Sequence, residues 1–382
     1  ISGLRHPTIK ISKFLDDLLR PLFDGMAKET TIDSGFELVK RLYNWSQNKL
    51  NSETIFCTID VVDLYTMIPQ TEGVLSLRKM LDYLSLKQVD GLKIETIIRL
   101  SRFVMQNNYF SFGRQYYHQI RGGAMGSPLT LTMANCYMFF FERPIANQVK
   151  NSGGLYLRYI DDLFITINWP ERHLLKQIER WNQIDENIKL NAHIGSTTNF
   201  LDLSIRNEDG SLITQVYHKP SYEPYYLPFN SIHPMHMKKN IPFAMLLRAI
   251  RYCSSFTLFI NERESLRMAL LLNKYPEAFI RKQFELVFKR FNISEAVSVY
   301  NYERIRSNII TTCYIEARQV DYDKNLFIHF TYCTNMRTFP IRFHALWRKY
   351  FSFSPINDIN PVLGTRNLPN LQLQLINRED IR

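Results

Sequence analysis

Two adjacent aspartates interrupt a run that otherwise reads as β-strand, Leu157-Arg158-Tyr159-Ile160-Asp161-Asp162-Leu163-Phe164-Ile165. Asp is a poor strand residue, and a charged pair set among apolar neighbours is costly unless something positive lies against it. The pattern predicts strand–turn–strand, with the carboxylates at the tip. A divalent metal would remove the cost of holding them there.

A second strand is expected at Thr54-Ile-Phe-Cys-Thr-Ile-Asp-Val-Val62, rich in β-branched residues and ending near Asp60. Around these strands the periodicity predicts helices over 10–25, 72–86 and 94–107. Another follows Ser34, with Glu37 at capping-box spacing and Phe36, Val39 and Tyr43 on one face. Tyr109 to Ile120 reads as a strand pair turning at Gly113-Arg114. The loop Arg121-Gly-Gly-Ala-Met-Gly-Ser-Pro128 opens a helix from Leu129 to Glu142. Pro170 suits the first position of a helix over 170–185. Strands are expected at Asn199–Ile205 and Leu212–His218, and after Pro228 the pattern is helical and basic to about residue 308. The last stretch mixes strand-like and irregular segments.

The net charge of +11 bears on partners rather than fold. It is unevenly spread: Ser231 to Asn308 holds thirteen Lys/Arg against six Glu and no Asp. Nucleic acid is the polyanion it suits best, with an acidic membrane surface as the alternative. No apolar run approaches the ~20 residues that span a bilayer, and no membrane partner is expected. Cys57, Cys136, Cys253, Cys313 and Cys333 form no C-x-x-C pair, which argues against a zinc site or a disulfide framework. His233 and His236 read as part of a helix entry and not as metal ligands. A chain that starts with Ile is expected to be a piece of something longer.

Phosphoryl transfer to a 3′-hydroxyl uses two divalent ions about 3.5–4 Å apart, and hard cations want carboxylate oxygens. Asp60 and Asp161 are the natural pair from neighbouring strands. Asp162 is alongside, but successive strand residues point to opposite faces, so Asp161 is expected to be the main ligand. Tyr65, five residues after Asp60, could lie under an incoming sugar and exclude a 2′-hydroxyl. Ile59 to Val62 could lend N–H groups to a triphosphate. Lys189 and Lys219 are both candidates for protonating the leaving pyrophosphate.

Asp60-x-x-x-x-Tyr65, Gly126-Ser127-Pro128 and Tyr159-Ile160-Asp161-Asp162, in that order, resemble motifs A, B and C of reverse transcriptases. The wording is similar to Penelope-like retroelements, relatives of telomerase catalytic subunits. It includes Asp60-Val-Val-Asp63-Leu64-Tyr65-Thr-x-Ile-Pro69, Ala124-Met-Gly-Ser-Pro-Leu129, Asn199-Phe200-Leu201-Asp202 and Tyr217-x-Lys219-Pro. Ser231-x-His233-Pro234, Arg248-x-x-Arg251-x-Cys253-Ser and Leu368-Pro-Asn-Leu371 complete the set. The resemblance covers nearly the whole chain. It departs at Gly122-Gly123, where the family has Gly-Thr, and at Thr130-Leu131, where Ser-Pro is usual.

The resemblance implies an α+β right-hand polymerase: partial fingers and an antiparallel-sheet palm over 1–228, a basic helical thumb over 229–310 and a C-terminal extension over 311–382. It implies a nucleotidyltransferase, an RNA-directed DNA polymerase, in the nucleus. Its partners would be an RNA template, a DNA primer and dNTPs, with two Mg²⁺ ions, or Mn²⁺ in their place. Asp60, Asp161 and Asp162 take the catalytic and metal positions; Val61, Val62, Asp63, Leu64, Tyr65 and Gly126 take the dNTP site. Template and primer contacts fall on Gly126, Ser127, Pro128, Tyr159, Phe200, Leu201, Asp202, Lys219, Lys238, Lys239, Arg248 and Arg251. The family's finger Lys/Arg are expected upstream of Ile1, with Arg5 and Lys10 as substitutes, and a GIY-YIG endonuclease is expected after Arg382. A non-catalytic nucleic-acid-binding remnant and an RNA-dependent RNA polymerase are the competing readings.

Overall fold

The computed structural model describes residues 6–113, 115–312, 321, 324–336 and 338–366. Arg5, Arg114, Cys313 and the Leu368–Leu371 block lie outside them. The chain divides into two compact units, Ile1–His218 and Lys219–Arg382.

The first unit begins with α1 (Ile9–Ala27) and α2 (Gly35–Lys49). Ser34 caps α2 by accepting the Glu37 N–H, but Glu37 reaches back to the Asp33 amide at 3.0 Å instead of closing the box on Ser34. The buried stripe of α2 is Leu38, Val39 and Leu42. Phe36 and Tyr43, expected inside, are half-buried, so the helix is rolled from the expected face. Strand β1 (Ile55–Val61) leads through a one-turn helix α3 (Leu64–Met67) into α4 (Gln70–Tyr83). A small hairpin, β2 (Gln88–Val89) and β3 (Leu92–Lys93), precedes α5 (Ile94–Gln106). A longer one, β4 (Tyr109–Phe112) and β5 (Gln115–His118), follows it.

Helix α6 (Pro128–Asn151) runs nine residues past the expected end at Glu142 despite Pro144. A mid-helix proline removes a hydrogen bond and crowds the preceding turn. Burial of Ile145, Ala146 and Val149 beyond it holds the helix together. Then come β6 (Leu155–Tyr159), β7 (Asp162–Ile167), α7 (Glu171–Trp181) and β8 (Leu190–Gly195). Last in this unit are β9 (Thr197–Phe200), β10 (Leu203–Glu208) and β11 (Ser211–Val216).

The central sheet has the order β6-β7-β1-β8, with every neighbouring pair antiparallel. Alternation gives it two unlike faces. Cys57, Ile59 and Val61 of β1 with Leu163, Ile165 and Ile167 of β7 enter the main core, shared with Leu19 of α1, Leu77 of α4, Val104 of α5 and Met133 of α6. The other face carries Phe56, Thr58 and Asp60. Phe56 stacks on Phe164, and Phe164 meets Phe200 of the β9–β10–β11 sheet at 5.4 Å. Helices pack on one side and a second sheet on the other, and Asp60 at the end of β1 is exposed.

In the second unit, α8 (Met235–Tyr252), α9 (Phe256–Leu272), α10 (Glu277–Arg290) and α11 (Tyr302–Thr311) are joined by short turns. A parallel pair, β12 (Asn325–Thr331) and β13 (Asn360–Arg366), is bridged by α12 (Phe339–Phe351). Among the described residues no helix is long and apolar enough to cross a membrane.

Candidate functional site

Register decides which carboxylates meet. Asp60 of β1 is opposite Asp162 of β7, Tyr159 of β6 is opposite the same Asp162, and Asn191 of β8 is opposite Asp60. Directly opposed residues share a face with Cβ atoms ~4.5–5.5 Å apart. Tyr159, Asp162, Asp60 and Asn191 therefore form one row across four strands. The next row on that face is Phe164, Thr58 and His193. The row edges a cavity of about 400 Å³ lined by Asp60, Asp162, Asn191, His193, Phe200 and Leu201, among others.

Asp161 stands one residue out, in the two-residue turn between Tyr159 and Asp162. The carboxylate directly opposite Asp60 is thus Asp162. Asp161 is tied to β1 by its carbonyl, which accepts the Val61 N–H at 3.1 Å. Ile160, the other turn residue, has φ +58°, a left-handed conformation that is an outlier for a β-branched side chain.

The clamp on this turn is buried. Arg158, fully buried, donates through Nη1 to the Ile160 carbonyl at 2.9 Å and to Asn135 Oδ1 at 2.7 Å. Its Nε meets Glu142 Oε2 at 2.6 Å, and the Tyr156 hydroxyl donates to that same oxygen at 2.9 Å. The backbone of Arg158 is held as well, its N–H by the Thr30 carbonyl and its own carbonyl by the Ile32 N–H.

Tyr65 lies in α3, half-buried. Burial first, and then the charge of Asp161, push its phenol up to about 12. The Val61 and Val62 amides, expected to be available to a phosphate, are committed: Val61 to Asp161, Val62 to the Lys189 carbonyl at 2.9 Å. Asp63 turns the chain out of the strand at φ +50° and begins the Leu64–Tyr65 turn. That pairing also sets Lys189, an exposed residue, beside the end of β1. Lys219 belongs to the second unit.

The Gly-rich loop docks on the same turn, with the Gly123 N–H on the Tyr65 carbonyl at 2.8 Å and the Gly122 N–H on the Ile68 carbonyl at 3.0 Å. Gly122 has φ +67°, and a Cβ there would sit on the Tyr65 oxygen and 2.5 Å from Thr66 Cα. Gly126, exposed, is left-handed at φ +83°. Ser127 is buried, and its hydroxyl shares a 2.7 Å hydrogen bond with Ser12, whose oxygen also accepts the Leu129 N–H at 3.0 Å. Ser12 of α1 thus caps α6, and Ser127 is engaged in that packing. Pro128 occupies the first turn of α6.

Phe200 is buried against Phe164. Leu201 and Asp202 form the two-residue turn of the β9–β10 hairpin, with Leu201 at φ +55°. In the second unit Lys239 is exposed and Arg248 half-buried, whereas Lys238 and Arg251 are 3% and 6% exposed. The Lys238 ammonium donates to the Ser231 carbonyl at 2.5 Å. Burial takes Lys238 and Arg251 off the cationic surface that the i, i+3 spacing of Arg248 and Arg251 suggested. Asn191 and His193 were missed although β8, Leu-Asn-Ala-His-Ile-Gly, alternates apolar and polar residues, a period-2 signal that places both on the face away from the core.

Among the described residues no group of three or more His, Cys, Asp or Glu side chains could by itself hold a metal ion. Mg²⁺ commonly binds through one or two carboxylates and completes its shell with water and substrate phosphates. An oxygen-only row with two opposed carboxylates on an open cavity fits that mode.

A telomerase from Candida albicans, in complex with a TWJ fragment of telomeric RNA, matches 79% of this chain and 50% of its own at 12% identity and TM-score 0.51. The chain has a polymerase-like fold. An apo telomerase from Candida tropicalis gives 14% identity, 78% and 52% coverage and TM-score 0.46. The BmCPV RNA-dependent RNA polymerase at its elongation state gives 12%, 76% and 27%, and 0.44. The chain spans about half the length of these telomerases. A family model described as an animal helix-turn-helix domain matches residues 225–285, which contain α8, α9 and the start of α10. No curated protein matches.

Proposed function

We propose that this chain is the core of an RNA-directed DNA polymerase of a Penelope-like retroelement, extending a DNA primer on an RNA template with dNTPs. The observation that carries the reading is the opposition of Asp60 and Asp162 at the mouth of the cavity, with Asp161 in the adjoining turn and Tyr65 beside it. Asp60, Asp161 and Asp162 would hold two Mg²⁺ ions, or Mn²⁺, which when bound activate the attacking 3′-oxygen and neutralise the triphosphate. The rest is done by the chain. Tyr65 stands where a ribose 2′-hydroxyl would collide with its ring, selecting deoxynucleotides. The Gly122–Gly126 loop, fixed to Tyr65 by backbone hydrogen bonds, packs against the nascent pair. The Phe200–Asp202 turn bounds the cavity on the primer side. Lys189, whose backbone is held beside the end of β1, would protonate the leaving pyrophosphate. The basic helices after Ser231 contact duplex phosphates, through Lys239 and Arg248 in preference to the buried Lys238 and Arg251. A nuclear location and a linked GIY-YIG endonuclease belong to this reading through the family resemblance.

The test is primer extension on poly-rA/oligo-dT with Mg²⁺ and with Mn²⁺. Wild-type chain extends the primer; Asp161→Ala and Asp162→Ala bind the duplex but do not extend it, since losing a metal carboxylate removes several kcal/mol of transition-state stabilisation. Normal extension by either variant refutes the site. Salt-sensitive duplex binding by wild type without incorporation under either metal would establish the non-catalytic remnant instead.

A further inference from the structure

The β4–β5 hairpin has more apolar ring surface in solvent than its own fold uses. Among the described residues its sheet contains these two strands alone, and an isolated two-stranded hairpin is marginal in water. Tyr116 is 86% exposed, Phe112 74% and Tyr109 52%. Register sorts the rings into two ladders. Tyr109 stacks on His118 at 4.7 Å with Tyr116 on the same face, and Phe110 stacks on Tyr117 at 5.4 Å with Phe112 on the other.

The root of the hairpin is fixed. The Gln119 N–H donates to the Asn108 carbonyl, the His118 ring meets the Gln106 carbonyl at 2.7 Å, and Gln70 donates to the Gln119 carbonyl at 3.0 Å. The ladders are therefore presented outward on a firm base. An exposed apolar patch of this kind marks a contact surface.

Charge selects the occupant. Between Glu95 and Glu142 the sequence has no acidic residue and four arginines, Arg99, Arg102, Arg114 and Arg121. Arg121, exposed, is held by the Met67 carbonyl and the Asn187 carboxamide, both neutral, so its charge is kept. Exposed rings on a stretch of sequence with arginines and no acid are the composition of a single-strand nucleic-acid platform, where bases stack on aromatics and cations follow the backbone. Continuity gives the place: β5 runs through Ile120, 81% exposed, into the Gly122–Gly126 loop. The six residue steps from Tyr116 to Gly122 span at most about 20 Å.

We propose that the β4–β5 hairpin binds the unpaired template strand by stacking its bases on Tyr116 and Tyr109, the exposed rings of one face. Calling that strand the template rests on the polymerase reading above; the affinity for a single strand does not.

The test uses the full chain, without nucleotide and in EDTA, with fluorescein-labelled oligo(rA) 12-mer and a blunt RNA/DNA duplex as probes. Tyr109→Ser and Tyr116→Ser are each expected to weaken single-strand binding on the order of ten-fold and to leave duplex binding unchanged. Tyr109→Trp and Tyr116→Trp keep it, which a folding defect would not allow. Photocrosslinking of a 4-thiouridine oligonucleotide to wild-type chain labels residues 109–118. Unchanged affinity in both Ser variants, or crosslinks confined to other segments, overturns the proposal. So does a shift in self-association with oligonucleotide affinity intact, which would make the hairpin a contact between copies. If primer extension fails but the Ser variants lose single-strand affinity, the platform stands and the polymerase reading falls.

Discussion

Replacing Arg158 with methionine isolates the clamp behind the acidic turn. The Arg158–Glu142 pair is 0% and 1% exposed. Glu142 Oε1 already has no hydrogen-bond partner, so without Arg158 the carboxylate keeps only the Tyr156 hydroxyl. Removing one partner of a buried pair costs about 3–5 kcal/mol, because the remaining charge is left in an apolar interior. In a unit of this size 1 kcal/mol moves the melting midpoint by ~2–4 °C; Arg158→Met should lower it by about 6–20 °C. The sign of the pH dependence follows from Glu142, whose carboxyl is raised by burial against the pull of Arg158. A carboxyl raised in the folded state contributes stability present below its unfolded value, about 4.5, and lost as pH rises through its folded value. Deleting Arg158 raises that value further, so the deficit grows from pH 5 to pH 8. Adding Glu142→Gln removes the stranded charge, and the double variant should lose less than the two single losses together. Circular-dichroism melts at both pH values, with calorimetry of the four chains, measure this. A deficit below ~1 kcal/mol, or one that shrinks toward pH 8, refutes the buried-charge argument.

Ser12→Ala removes the oxygen that caps α6, and unfolding in urea should show a loss of ~1 kcal/mol. Gly122→Ala meets both a left-handed φ and the Tyr65–Thr66 backbone; a loss above ~2 kcal/mol is expected by thermal melt. Tyr65→Ala should admit ribonucleotides, read as a rise in rNTP over dNTP incorporation, with little change in dNTP use. The Tyr65 phenol, raised to about 12 by burial and then by the Asp161 charge, should show no phenolate absorbance below pH 10 in a spectrophotometric titration of wild type against Tyr65→Phe.

The strand ending at Asp60 and the turn at Asp161-Asp162 were legible because carboxylates in a β-branched run have few other solutions. Most helices of the first unit were legible from their 3.6-residue stripes. Four features were not. The residue opposite Asp60 depends on pairing register, which local pattern cannot supply; it is Asp162. The length of α6 depends on burial after Pro144, a tertiary effect that outweighs a local breaker. Lys238 and Arg251 look like surface cations by spacing, yet α8 turns them inward. The βαβ arrangement of β12, α12 and β13 was missed as well, since its strands pair across a helix rather than a turn.

The row Tyr159–Asp162–Asp60–Asn191 draws one residue from each of four strands, so its integrity is a matter of parity. Inserting a single residue within β7 or β8 would put the residues on its two sides out of step, so that Asp162 or Asn191 could keep its place in the row only if the apolar residues after it turned out of the oily layer. Additions of any length at the β2–β3 or β10–β11 tips would leave the row untouched. Length variation among relatives of this chain should therefore concentrate at those two tips and stay out of the strands.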